Sequence, residues 1–221
     1  MKQRTYISAV QRLAALPEVF TGGDLTVLFG WKSALCSNYL AQWRKAGLVQ
    51  SLGGRSDVHM NLVVNRQANP ELALARAYPQ AIKVGLDVLR EAGWTTQIPS
   101  AIDVAVPAGS SLHGLEGFAL SNRTASWFSR VIQGTDKVAQ GINRLHPAWA
   151  LADMLARAQD SRVRNAWLLD PEDIDLHSAR NTKSIALALA AFSLEPDSLE
   201  NKAYELRYSQ FKLSRRSNAA S

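Results

Sequence analysis

The polar and apolar positions between Asp24 and Val64 change their period partway along, from the 3–4 spacing of a helix to the shorter runs of strands. Leu25 to Phe29 is a short apolar run. Asp24 before it is suited to cap a helix N-terminus, and Gly30 after it permits a backbone turn that most side chains resist. A second helix is expected from about Ser33, itself a candidate cap, to Ala46. Cys36, Leu40 and Trp43 are spaced four and three apart and so share one face. Gly47 is a helix stop, Arg44 and Lys45 suit the negative end of the helix dipole, and Leu48 continues the apolar set. Val49–Leu52 and His59–Val64 then read as two strands around Gly53-Gly54, a hairpin signal, with Arg55 at the tip. Upstream, Ile7, Val10, Leu13 and Ala14 mark a helix over Thr5–Leu16 that stops before Pro17, and Phe20 is expected to pack under the next helix. Three helices followed by a basic hairpin predict a winged helix-turn-helix over residues 1–66.

The polar, turn-rich Asn65–Pro70 is the expected boundary to a second domain over 67–221. There the pattern predicts a short helix at Leu72–Tyr78 and another opened by Pro79, running through Ile82, Leu86 and Leu89 to Ala92 and closed by Gly93. Strands are expected in Ile98–Pro107, Gly117–Leu120 and Ala125–Ile132, with a turn at Gly109–Ser111. From Pro147 onward the chain reads as helical: Pro147–Arg157, a start at Asp170-Pro171-Glu172-Asp173, a buried helix over Ile185–Leu194, an amphipathic one over Leu199–Leu213, and a frayed tail. The fold class is therefore α+β, an N-terminal winged helix-turn-helix followed by a mixed α/β C-terminal domain with a helical end.

Charge sharpens this division. Residues 1–66 hold eight cations against three acids, a net +5 of the chain's formal +6, while the remainder is nearly balanced. A basic excess gathered on one module is the electrostatic footprint of nucleic-acid binding. On the outward face of the second helix, Ser37, Asn38, Ala41 and Gln42 are short or amide-bearing, with no acid among them. Asn and Gln suit adenine in the major groove, and a cation at a hairpin tip suits phosphate. The candidate DNA-binding residues are Lys32, Ser33, Ser37, Asn38, Gln42, Arg44, Lys45 and Arg55.

A hydrophobic fraction of 47% is ample for a packed core. One cysteine excludes an intramolecular disulfide. No apolar run approaches the roughly 20 residues that span a bilayer, and the N-terminus lacks a signal-peptide core, so a cytoplasmic protein without a membrane partner is expected. His59, His113, His146 and His177 are isolated, and nothing has metal-site spacing; neither metal nor cofactor is expected. Cys36 falls on the inward helix face, as a small buried hydrophobe would. Ser110, Ser111 and His113 are turn composition without a nucleophile motif. Asp170, Glu172, Asp173 and Asp175 form an acid cluster that metal-dependent nuclease chemistry could use, but helix capping explains the first three without any function and is favoured. Trp127, Trp149 and Trp167 read as core or partner-surface residues. No phosphate loop, dinucleotide fingerprint or other enzyme signature is present.

The order of parts resembles the AbiE-type antitoxins, the transcriptional-regulator partners in type IV toxin–antitoxin systems. The resemblance rests on Asp24–Val63, with its KAGLV helix ending, and on Leu145–Leu155, LHPAWALADML, which is similar to a proline-led helix carrying an acid and a leucine pair. It departs from the family at Ala148 and Trp149, where polar or charged residues are usual. The resemblance implies an autorepressor of phage-defence type that binds inverted repeats of double-stranded DNA in its own promoter. It also implies a C-terminal domain that counteracts a nucleotidyltransferase toxin, with or without direct binding. Two other readings stand beside it: a ligand-responsive repressor with a C-terminal sensor domain, and a DNA-processing enzyme targeted by a winged helix.

Overall fold

The computed structural model describes residues 8–53, 56–110, 115–159 and 182–194. The chain is mixed α+β and divides into two compact units. The first comprises residues 1–81 with 111–116 and 138–143; the second comprises 82–110, 117–137 and 144–221.

The first unit contains α1 (Ala9–Ala14), β1 (Val19–Thr21), α2 (Gly22–Phe29), α3 (Ser33–Lys45), β2 (Val49–Ser51), β3 (Val58–Asn61) and α4 (Pro70–Ala77). Its antiparallel sheet has the order β1-β3-β2, with Phe20 opposite His59 and Ser51 opposite His59 on the other side. Leu13, Phe20 and Leu25 are wholly buried and form the core with Leu16, Cys36, Leu40, Trp43 and Val49. β1 is absent from the sequence reading: three residues are too few to show a period. α1 begins only at Ala9, because Ser8 and Gln11 close a reciprocal capping box there. Val10, assigned to its apolar face, is half exposed. The unit also runs past the expected boundary at 66/67. Asn69 caps α4, whose Ala73 and Leu74 are buried, and α4 packs on β1 and β3.

The second unit is built on a sheet of order β6-β5-β4-β8-β7: β4 (Ile82–Lys83), β5 (Ile102–Pro107), β6 (Phe118–Arg123), β7 (Thr135–Asp136) and β8 (Asn143–Leu145). β5 runs parallel to β6 and antiparallel to β4. Its described helices are α5 (Leu86–Glu91), α6 (Ala125–Val131), α7 (Pro147–Gln159) and α8 (Thr182–Ala191). α7 packs against α5 and α8, burying Ala148, Trp149, Leu151, Ala152 and Leu155.

Three expectations are corrected here. The helix from Pro79 to Ala92 is instead a short strand and a short helix, divided at Gly85, which takes φ 76°. Ala125–Ile132 is helical, not a strand. Thr124 accepts a hydrogen bond from the Trp127 amide, and Trp127 and Val131, four apart, both point inward. β-type composition lost there to a helix cap. The expected buried helix over Ile185–Leu194 is α8, which ends at Ala191 and is only partly buried: Ala188 and Leu189 are inside, while Leu187 is 67% exposed. The expected helices at Asp170 and over Leu199–Leu213 lie outside the described residues.

Candidate nucleic-acid interface

The geometry of α2 and α3 begins with their ends. Thr21, not Asp24, caps α2. Its side chain accepts from the Asp24 amide at 3.2 Å, and Asp24 reaches back to the Thr21 amide at 2.7 Å. Gly30 ends the helix in the left-handed conformation, φ 67°. α3 opens after Lys32, and neither Lys32 nor Ser33 supplies a side-chain cap. It ends with two carbonyls satisfied in a Schellman arrangement: the Leu48 amide donates to Trp43 and the Gly47 amide to Arg44.

An aromatic stack holds the turn between the helices. Trp31 lies 4.8 Å from Phe29 and 4.4 Å from Tyr39, both stacked, and Trp43 closes on Trp31 and Tyr39 at 6.1 and 5.6 Å. The Arg12 guanidinium sits over Trp31 and Tyr39. Of this set only Trp43 is an expected core residue; the four-residue spacing of Tyr39 and Trp43 is the mark of the stack in the sequence.

Cys36, Leu40 and Trp43 are buried, so α3 has the expected phase. The opposite face is in solvent: Lys32, Ser33, Ser37, Asn38, Gln42, Arg44 and Lys45 are all exposed. They are not equivalent. Ser37 turns its hydroxyl onto the Ser33 carbonyl at 3.1 Å, and Arg44 donates Nε to the Leu40 carbonyl at 3.3 Å. Asn38 and Gln42 make no side-chain hydrogen bond among the described residues, which leaves both amides open to an incoming partner. Arg55 and Gly54 lie outside the described residues. The strands on either side are joined through the Leu52 amide to the Val58 carbonyl.

Electrostatics divides the cations in the same way. Arg76 pairs with Asp24 at 3.3 Å, and Arg12 is occupied by the aromatic stack. Burial pushes the Asp24 carboxyl up, but the Thr21 hydrogen bonds and Arg76 outweigh it and hold it below its usual value. Burial pushes His59 down; Asp57 opposes this and Arg44 reinforces it, so the ring favours its neutral form.

The second unit holds a different polar cluster, one that sequence reasoning missed. Asp153, the acid of the LHPAWALADML stretch, is buried. It accepts from Trp127 Nε1 at 2.7 Å and pairs with Arg123 at 3.2 Å. Burial pushes the Asp103 carboxyl above its usual value, against the pull of Arg157 and Arg123. The Nε atoms of Arg123 and Arg157 are buried without a hydrogen-bond partner. Trp127 and Trp149 are core residues of this unit. Among the described residues no group of three or more His, Cys, Asp or Glu could hold a metal ion, and no helix is long and apolar enough to cross a membrane. His113, His177, Trp167 and the acids from Asp170 to Asp175 lie outside the described residues.

No family model matches the chain, and no curated protein matches it. Among solved structures the chain is similar to the Rv2827c protein of Mycobacterium tuberculosis, with 15% identity, a TM-score of 0.46, and coverage of 88% of this chain and 78% of that one.

Proposed function

We propose that the first unit is a winged helix-turn-helix that binds double-stranded DNA through α3 and the β2–β3 hairpin, and that the chain is a transcriptional regulator. The observation that carries this reading is the two-sidedness of α3. One face is anchored by Cys36, Leu40 and Trp43, while the other presents unpaired Asn38 and Gln42 amides flanked by Lys32, Arg44 and Lys45. The order α1-β1-α2-α3-β2-β3 with sheet order β1-β3-β2 supports it, because that order places a strand pair beside a helix of groove-reading size. Base contacts discriminate between sequences by about 1–3 kcal/mol, whereas a phosphate contact strengthens all DNA and releases roughly one counterion. Asn38→Ala should therefore reduce the preference for the chain's own promoter over random duplex and leave the salt slope intact. Arg55→Ala should weaken both duplexes together and flatten the slope by about one unit. Titration of both duplexes at several salt concentrations separates these outcomes; a wild-type chain without measurable affinity for either rejects the reading.

Within this reading we propose the antitoxin role that the resemblance implies: repression at inverted repeats, and neutralisation of a nucleotidyltransferase toxin by the second unit. Co-expression with a nucleotidyltransferase encoded beside the gene tests it, and unrelieved growth arrest counts against it. One observation favours the ligand-responsive alternative. The side chains of Asp103 and Arg157 are partly buried in the second unit and, among the described residues, make no side-chain hydrogen bond or ion pair. A saturable thermal shift with small carboxylates or phosphates, abolished by Arg157→Ala, would support the sensor.

A further inference from the structure

Asp57 stands at the foot of the β2–β3 hairpin, one residue before β3. Its Oδ2 accepts a hydrogen bond at 2.9 Å from the amide of Gly22, the first residue of α2 and 35 positions away. Its Oδ1 lies 3.6 Å from Nε2 of His59, which is buried at the centre of the sheet between β1 and β2. The approach to α2 is close: a Cβ on Gly22 would lie 2.9 Å from both carboxylate oxygens, tighter than side chains tolerate. A surface acid kept for solubility would need neither the amide nor the missing side chain. The capping box takes the next donors, so the amides of Thr21, Gly22 and Asp24 are all committed to carboxylate or hydroxyl oxygens. Three of the donors at the start of α2 are thus taken by the chain's own oxygens, although a helix N-terminus is ordinarily an anion site.

We propose that Asp57 is a positioning residue for DNA recognition, a latch from the hairpin to α2 that sets the hairpin's attitude toward α3. This rests on the DNA-binding reading. Because α2 leads into α3 through the Gly30 turn, a hairpin tied to α2 is registered against the groove-reading helix. An untied hairpin keeps its strand pairing but loses the tie of its Asp57 end to α2.

Three variants of the full chain test the latch. Asp57→Asn keeps an oxygen for the Gly22 amide and removes only charge. Asp57→Ala removes both. Gly22→Ala attacks the latch from the other side; Gly22 is not in the left-handed region, and alanine is a good helix former, so the crowding against Asp57 is its main effect. Asp57→Ala and Gly22→Ala should each lose about tenfold in the preference for promoter over random duplex, the size of a modest base contact. Asp57→Asn should retain that preference and bind both duplexes equally or more tightly. Amide exchange at Gly22 should be accelerated in Asp57→Ala and restored in Asp57→Asn. Undiminished preference in Asp57→Ala, or identical behaviour of the Asn and Ala variants, overturns the proposal. If the wild-type chain binds neither duplex, the DNA reading fails and takes this role of Asp57 with it. The exchange pattern then still shows whether the hairpin is latched, which keeps the two failures distinct.

Discussion

Replacing Trp43 by alanine is the most demanding test of how α3 is seated. The indole is 3% exposed, shares a core with Leu13, Phe20, Leu25 and Leu40, and contacts the Trp31 and Tyr39 rings. A buried aromatic side chain removes about 150–250 Å² from water, which at about 25 cal/mol per Å² corresponds to roughly 4–6 kcal/mol. Alanine retains part of that area and the unfolded chain already buries some, which lowers the figure. The loss of two ring contacts, at about 0.5–1.5 kcal/mol each, raises it again. The expected destabilisation is about 3–5 kcal/mol, in line with large aromatic truncations elsewhere. Gln42→Ala, one residue away on the exposed face, should change stability by less than about 0.5 kcal/mol. Amide exchange of α3 and β3 reports on the first unit directly and avoids a global melt that mixes both units. If Trp43→Ala costs less than about 1 kcal/mol while Gln42→Ala costs as much, the helix is turned the other way and the proposed DNA-facing residues are the wrong ones.

Two further expectations concern the second unit. A Cβ on Gly134 would run into the Trp149 ring, so Gly134→Ala should overpack the site and cost about 1–3 kcal/mol or more, read from the thermal midpoint. The folded state raises the Asp103 pKa and so holds that proton more tightly than the unfolded chain does. The penalty on the ionised form is full at neutral pH and fades as pH falls through the raised value to the ordinary one. Asp103→Asn should therefore stabilise the protein at pH 7 and have little effect in acid; denaturant titrations across that range check the sign.

What could be read from the sequence was what is encoded locally. The inward phase of α3 follows from three apolar residues at helical spacing, and its outward face is the complement of that phase. Gly30 and Gly47 both occupy left-handed turns, as their positions after apolar runs suggested. The sequence is silent where the deciding partner is distant or the element is too short for a period. Asp24 looks like a cap until Thr21 is seen to occupy that position, with Asp24 as its reciprocal partner. Ala125–Ile132 has strand composition, but the Thr124 cap and the burial of Trp127 and Val131 decide for helix. Asp57 and Gly22 bear no mark of each other in sequence, because their contact depends on the hairpin folding back to α2. Asp103, Arg123 and Arg157 come together only through sheet and helix packing.

The buried amide of Asn61 ties the first unit together in time as well as in space. Its Nδ2 donates to the Leu13 carbonyl at 2.7 Å and lies within 3.4 Å of those of Leu16 and Pro17, while the Asn61 backbone amide donates to Glu18 at 2.7 Å. The end of α1 therefore finds its hydrogen-bond partners in a residue 44 to 48 positions later. Until β3 arrives the Leu13 carbonyl has only the local Leu16 amide at 3.0 Å, the Leu16 and Pro17 carbonyls lack the Asn61 donor, and α1, with six residues, is too short to persist alone. Closing so long a loop costs entropy before any contact repays it. The early helices and the hairpin are thus coupled in folding, since the first turns made on the ribosome wait for a strand synthesised 44 to 48 residues later.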